Sequence, residues 1–448
     1  MGGNSMPWVN KKSVLLASTA VALSMVAGSA FAGGFALREQ SAYYQGMSFA
    51  GNGTTGESIS SMFWNPATLI GAGKGLTIES HSSFIMPESD IDGTFTPGAL
   101  TTVNGATSST AGSGDIASDA WVPSTYTAYR FNDQVVFGLA VNAPFGLSTK
   151  PEQNWAGQYY SRSSEVFSVN VNPAIAYQIN DMFAVGVGVQ AQYLQVRLKS
   201  AYPFSTSAAT TEFKGEGYGI GVTAGLTVRP WEGTEIGLGY RSAVANNLDG
   251  SYINPGGRFF AGMTPVSFAG NRAGIEATVV TPETVTLSAS HRINDTFKIA
   301  GTVEWTNWSR LKTVHPSSDG GTATTNPTGL PNLEFNYDDG WFFSVGGEYN
   351  WNQQVTLRAG VGYELSPIDE AIRSTRLPDN DRLWLSAGMT WSPSDNLAFD
   401  IGYSHLIPAD TKIDISGNHQ DYNSNIGTYT GKVDSQVNII SAALRYTY

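Results

Sequence analysis

The chain has no cysteine in 448 residues. No disulfide framework can hold it together, thiol catalysis and Cys-ligated metals are excluded, and closure or a large core must supply stability. Long apolar runs are missing too. Beyond one N-terminal stretch, nothing approaches the roughly 20 apolar residues of a membrane-spanning helix. Charged residues make up only 14%, with a net charge of −12. No basic patch offsets that acidity, so no nucleic-acid partner is expected. Histidine is limited to His81, His291, His315, His405 and His419. No HExxH or clustered metal-ligand spacing occurs among them. Ser290-His291 and Ser404-His405 are sequence neighbours, so on a strand they point to opposite faces and cannot form a nucleophile–base pair. No enzymatic activity, cofactor or metal is expected.

What is present begins with an export signal. Lys11 and Lys12 precede an uncharged, mostly apolar run over 14–27, and Ala30-Phe31-Ala32 supplies an A-x-A cleavage pattern. Residues 1–32 are therefore predicted to be a signal peptide, with the mature chain starting at Gly33. The full sequence is rich in Gly (50 of 448 residues), Tyr, Phe, Trp, Val and Thr, which suits strands and tight turns. Its hydrophobic fraction of 41% looks like that of a soluble protein. A membrane barrel has the same look, because half of each strand faces the lumen.

The last residues alternate. Tyr448, Tyr446, Leu444, Ala442 and Ile440 interleave with Thr447, Arg445, Ala443 and Ser441, so one face of a strand meets an apolar medium. A final strand with an aromatic tip is expected to engage the outer-membrane barrel assembly machinery. The same period predicts strands near 76–86, 122–131, 135–149, 163–179, 183–198, 216–230, 234–242, 280–293, 297–311, 340–351, 354–366, 381–393, 397–409 and 436–448. Short turns such as Asn132-Asp133, Asn180-Asp181, Asn294-Asp295 and Asn352-Gln353 join alternate pairs. The other connections are long, at 87–121, 150–162, 199–215, 243–279, 312–339, 367–380 and 410–435. This short–long alternation predicts an all-β fold, a transmembrane antiparallel β-barrel of about 14 strands, integral to a bacterial outer membrane. Trp231, Trp305, Trp308, Trp341, Trp351, Trp384 and Trp391 cluster near strand ends, as interfacial girdles do. Residues 33–75 are too long and too apolar for a tail and are read as a plug inside a barrel over 76–448.

In that plug, Gly34-Phe35-Ala36-Leu37 and Trp64-Asn65-Pro66-Ala67 resemble the hatch of the FadL family of outer-membrane long-chain fatty acid and hydrophobic-compound transporters. Ser366-Pro367, Arg373, Leu377-Pro378-Asp379, Asp381-Arg382 and Trp384-Leu385-Ser386-Ala387-Gly388 are similar to it as well. So are Glu283, Ala289, Trp305, Trp308 and Ser309. The resemblance implies fourteen strands, a small hatch of short helices, and passive uptake of long-chain fatty acids or similar molecules. It implies an apolar external groove, a pocket above the hatch, rearrangement of the N-terminus, and lateral exit through a kinked third strand.

Residue by residue, Pro144-Phe145-Gly146 would form the lateral gate, since proline removes a ladder donor and glycine permits a bend. Phe35 and Leu37 would line the pocket and move. Asn65, Pro66 and Ala67 would contact the wall near the kink. The positions matching the family's carboxylate-receiving basic residues are Ser200 and Leu333, so Arg197 and Lys199 are the substitute carboxylate partners. Phe259, Phe260, Met263 and Phe268 would supply the external apolar groove. The loss of the two basic positions leaves neutral aromatic or alkane hydrocarbons as alternative substrates. A general diffusion porin is the other rival, although low charge and a spare plugging segment oppose it. A monomer is expected.

Overall fold

Lipid gives a strand's outward face an apolar medium but offers no partner for an exposed backbone, so spanning strands must close into a ring. They do so in a computed structural model that describes residues 33–261, 264–318 and 330–448. The expected signal sequence and Met263 lie outside the described residues. Fourteen antiparallel strands form the wall. They are β1 (Gly75–Pro97), β2 (Ala120–Arg130), β3 (Val135–Asn142 and Gly146–Thr149), β4 (Ser163–Gln178), β5 (Phe183–Ala201), β6 (Thr210–Trp231) and β7 (Thr234–Arg241 and Val244–Ala261). There follow β8 (Thr264–Thr281 and Thr284–Arg292), β9 (Phe297–Thr306), β10 (Gly340–Asn350), β11 (Val355–Leu365), β12 (Arg382–Ser394), β13 (Leu397–Pro408 and Thr411–Ile415) and β14 (Gly427–Thr447). Pairing of β1 with β14, from Thr77↔Thr447 to Pro97↔Gly427, closes the ring.

The alternation sets the two faces. On β5, Phe183, Val187 and Val189 are exposed outward, while Ala184 and Gln190 are buried inward. The same division puts Ser290 and Ser404 inside, with His291 and His405 taking partners elsewhere, on Thr234 and Asn438. Four short turns share one device. The side-chain oxygens of Asn132, Asn180, Asn294 and Asn352 each accept two backbone N–H groups at 2.8–2.9 Å, from residues two and three positions on. Such an Asx turn reverses the chain within four residues, whatever lies beyond it.

The opposite rim departs from expectation. Residues 243–279 are not a loop: β7 and β8 continue through it as a paired hairpin, from Val244↔Thr281 to Ala261↔Thr264. Asn, Gly and Pro at Asn246, Asn247, Gly250, Asn254-Pro255 and Gly256 read locally as turn formers. Cross-strand hydrogen bonds override that propensity, and Gly256, at φ +81°, absorbs the irregularity. β1, β6 and β14 likewise extend beyond their expected ends.

Residues 33–74 fill the lumen with one helical turn, α1 (Ala42–Gln45), and two 3-10 turns, Ile59–Phe63 and Pro66–Gly71. Each starts on a side-chain cap: Ser41 accepts from Tyr44 N, Ser58 from Ser60 N, and Asn65 from Ala67 N. Glycines on the inner wall let this backbone approach closely. A Cβ on Gly239 would strike the Trp64 carbonyl, and one on Gly388 would meet Gly46 Cα at 2.7 Å. Polar contacts fix the register. Glu79 accepts from Ser58 Oγ (2.6 Å) and Ile59 N (2.9 Å), and Arg358 pairs with Glu348 (2.9 Å) beneath the Tyr43 ring.

Candidate ligand cavity and wall break

The wall is interrupted at β3. Pairing with β4 runs to Asn142↔Asn170 and resumes at Gly146↔Phe167, so Ala143, Pro144 and Phe145 face only two residues. Pairing with β2 ends at Thr125↔Val141, although β2 stays bonded to β1 as far as Ala120↔Ile85. The stretch of β2 from Ala120 to Ser124 therefore has no ladder partner on the β3 side. The N-terminal segment supplies the missing bonds. Leu37 N donates to Pro144 O (2.8 Å), and Gly146 N donates to Phe35 O (2.9 Å). Gln40 Nε2 donates to Ala143 O (2.8 Å), while its Oε1 accepts from Ser124 Oγ (2.9 Å) on β2. Gln40 thus straps the two edges of the gap together, a role the sequence did not suggest.

Above the segment lies a cavity of about 260 Å³, near the lower end of the about 300–1,000 Å³ of small-molecule sites. Leu147, Val166, Leu198, Phe213 and Tyr252 line it from the wall, with Phe35 at its floor. Phe35 packs edge-on against Trp308 (4.7 Å) and Phe145 (5.9 Å) and so closes the way down. Ser200 and Leu333, the two expected basic-to-neutral positions, both line the cavity.

Arg197 and Lys199 do not. Alternation turns them to the other face of β5, where both pair with Glu212, at 3.0 and 3.2 Å. Among the described residues the cation that lines the cavity is Arg376, from the loop between β11 and β12, whose Nη1 donates to Lys199 O at 3.2 Å. Burial pulls its guanidinium down to about 10, still protonated at neutral pH. Asp421 lines the same cavity. Burial raises its carboxyl above the ordinary range, against the opposing pull of His419 and Arg376. In sequence Arg376 is one of two arginines, with Arg373, between Ile372 and Leu377, and nothing local separates it from the other.

Other expected site residues divide. Asn65 reaches the wall at β6, donating to Leu226 O (3.1 Å) as well as to Gly53 O (2.7 Å), and so lies away from the β3 break. The bare inner face at Gly225 and Gly237 leaves room for it there. Ala67, behind Pro66, packs against Gly186 of β5. On the outer rim, Phe268 contacts Phe259 (6.4 Å), Phe204 (6.0 Å) and Tyr202 (6.3 Å). Tyr202 and Phe204 thus join a surface that the sequence assigned mainly to residues 243–279. Phe260 lies opposite Pro265 in that hairpin.

These features define an outer-membrane barrel whose lumen is occupied by its own N-terminal segment. The chain belongs to the family described as outer membrane protein transport protein (OMPP1/FadL/TodX), whose model matches residues 23–448. It is 27% identical over 415 residues to the long-chain fatty acid transport protein of Escherichia coli O6:H1, covering 86% of this chain and 90% of that one. Outer membrane protein P1 of Haemophilus influenzae is 25% identical over 426 residues, covering 86% and 88%. Among solved structures, a Pseudomonas aeruginosa FadL homologue superposes with a TM-score of 0.79 at 20% identity, covering 92% of this chain and 99% of that one. The Ralstonia pickettii toluene transporter TbuX gives 0.63 at 18%, covering 90% and 97%. The protein is an integral outer-membrane protein of this transport family.

Proposed function

We propose that this protein takes up long-chain fatty acids passively, holding the carboxylate on Arg376 and the alkyl chain in the apolar cavity. The observation that carries this reading is a guanidinium set in the wall of a cavity lined mainly by apolar side chains. A carboxylate buried without a partner is costly, and a planar guanidinium matches it with two parallel hydrogen bonds. Displacement of the hatch, residues 33–75, moves Phe35 from the floor. It also withdraws the backbone bonds of Phe35 and Leu37 from β3, which opens the gap in the 76–448 barrel toward the bilayer. In this reading residues 1–32 are removed on export, the mature chain folds through the barrel assembly machinery and works as a monomer, and no catalysis, cofactor or energy source takes part. The relative named for fatty-acid transport supports the substrate class.

Saturable binding of labelled oleate to the detergent-folded protein, with palmitate and toluene as competitors, tests it. Palmitate should displace oleate and toluene should not. Arg376→Gln should weaken oleate about tenfold or more, as loss of a charged hydrogen bond does. Arg197→Gln with Lys199→Gln should leave it unchanged. Displacement by toluene with no effect of Arg376→Gln would move the substrate to neutral hydrocarbons. A large steady conductance in planar bilayers would make the protein a porin.

A further inference from the structure

Beneath the Phe35–Phe145–Trp308 partition lies a second, smaller cavity of about 60 Å³. On one side it is lined by Leu37, Pro144 and Phe145, at the β3 break. Arg241, the last residue before the interruption of β7, lines it as well, beside Gln190 and Gln192. Arg241 is 8% exposed. Its Nη1 donates to Phe63 O (3.0 Å) and its Nη2 to Gln190 Oε1 (2.7 Å), and its guanidinium carbon sits 4.3 Å from the centre of the Phe63 ring. All three partners are neutral.

Four other lumen arginines have carboxylate partners. Arg38 pairs with Glu304 (2.6 Å), Arg358 with Glu348 (2.9 Å), Arg382 with Glu364 (3.5 Å) and Arg445 with Asp400 (2.8 Å). Among the described residues Arg241 has no carboxylate within 4.0 Å. Glu304 and Glu364 line the same cavity but are held by Arg38, so Arg241 is a buried charge without an ion-pair partner of its own, which is expensive and marks a pathway rather than a packing solution. A guanidinium also retains donors after two hydrogen bonds, since it carries five.

We infer that Arg241 is a second anion site, where a ligand carboxylate released from Arg376 is held while its alkyl chain lies against Leu37, Pro144 and Phe145. The ligand then leaves tail first through the β3 break. Its apolar end enters lipid while its charge stays paired, which avoids carrying a bare carboxylate into the wall. This rests on the fatty-acid reading above.

Transfer of oleate and of oleyl alcohol, which has the same tail without the charge, into acceptor vesicles is compared for the full mature protein in liposomes. Arg241→Gln should slow oleate about tenfold, as loss of a charged hydrogen bond would, and change oleyl alcohol little. Arg241→Lys, which keeps the charge, should restore most of the oleate rate. Equal slowing of both ligands would make Arg241 a mere prop for the Phe63 carbonyl and overturn the inference, as would an unchanged oleate rate. A check independent of any variant is a crystal of the unsubstituted protein soaked with 2-bromopalmitate. Bromine beside Arg241 supports the site, and bromine at Arg376 alone overturns it. If the unsubstituted protein shows no saturable oleate binding, the fatty-acid reading itself has failed. Normal binding without charge-selective slowing sinks only the Arg241 site.

Discussion

Two interruptions of this wall, one in β3 and one between β7 and β8, are repaired differently. At β3 the lost ladder bonds are replaced by Phe35, Leu37 and Gln40, from a segment that is not part of the wall. Between β7 and β8, pairing stops at Arg241↔Thr284 and resumes at Val244↔Thr281. There Ser242 N donates to Val222 O (2.9 Å), Ser242 Oγ accepts from Val222 N (2.8 Å), and Gln190 Nε2 donates to Ser242 O (3.0 Å). Asn307 N, just past β9, donates to Glu283 O (3.0 Å). Every replacement comes from the barrel itself. A proline accompanies both interruptions, Pro144 and Pro282, so its presence does not distinguish them. A break sealed by a removable segment can open, whereas one sealed by the wall is a fixed bend. In the proposed reading, that difference in the source of the bonds makes β3 the gate and β7–β8 a fixed corner.

The largest effect should come from mending β3. Pro144→Ala restores a donor, and Gly146→Val places a side chain where a Cβ already meets Leu37 Cδ1 at 2.8 Å. The double variant should cut oleate transfer by about tenfold or more, while heat-modifiable gel migration shows a folded barrel. Unchanged transfer would remove lateral exit. Next comes Gln40→Ala, which cuts the strap between β2 and β3. Losing these buried bonds costs about 1–3 kcal/mol of seal, so transfer or leak current should rise several-fold. A decrease would mean that Gln40 positions ligand rather than closing the gap.

A smaller effect is expected from pH, acting on the cavity above both breaks. Asp421 has a raised carboxyl pKa, so its buried charge costs stability at neutral pH. That cost is relieved as pH falls through the raised value. With Asp421 neutral, one of the two carboxylates that line the cavity, the other being Glu334, no longer opposes the hold of Arg376 on a ligand. Dodecyl sulfate, which stays charged, should bind about two- to threefold more tightly at acidic pH than at neutral pH. Asp421→Asn should abolish that dependence; a variant that keeps it would assign the titration elsewhere. The least change should follow Ser242→Ala, which removes one seal of the fixed bend. It should lower stability by about 1 kcal/mol in denaturant unfolding and leave oleate transfer as it was. Slowed or accelerated transfer would erase the distinction between the two breaks.

Much of the wall was legible because its causes are local. Phe183, Val185, Val187 and Val189 alternate with small and polar residues, and an Asn at position 132, 180, 294 or 352 turns the chain by bonding two and three residues ahead. Neither needs knowledge of the rest of the chain. The hairpin over 244–281 was missed for the complementary reason. Its Asn, Gly and Pro residues are turn formers by themselves, and only the partner strand holds them extended.

The sequence by itself determined an exported, cysteine-free chain of alternating strands, the pairs that short turns join, and a proline–glycine interruption at 144–146. The tertiary structure decided what alternation leaves open. Period two says that Arg197 and Lys199 share a face and Leu198 and Ser200 the other, but which face is the lumen depends on closure of β1 on β14. Closure turned both cations out to Glu212 and left Arg376, more than 170 positions further on, at the cavity. It likewise set Asn65 on β6 and Phe35, Leu37 and Gln40 across the gap in β3. Hydrogen bonds between residues far apart in sequence carry no local signature, so they appear only once the ring is closed.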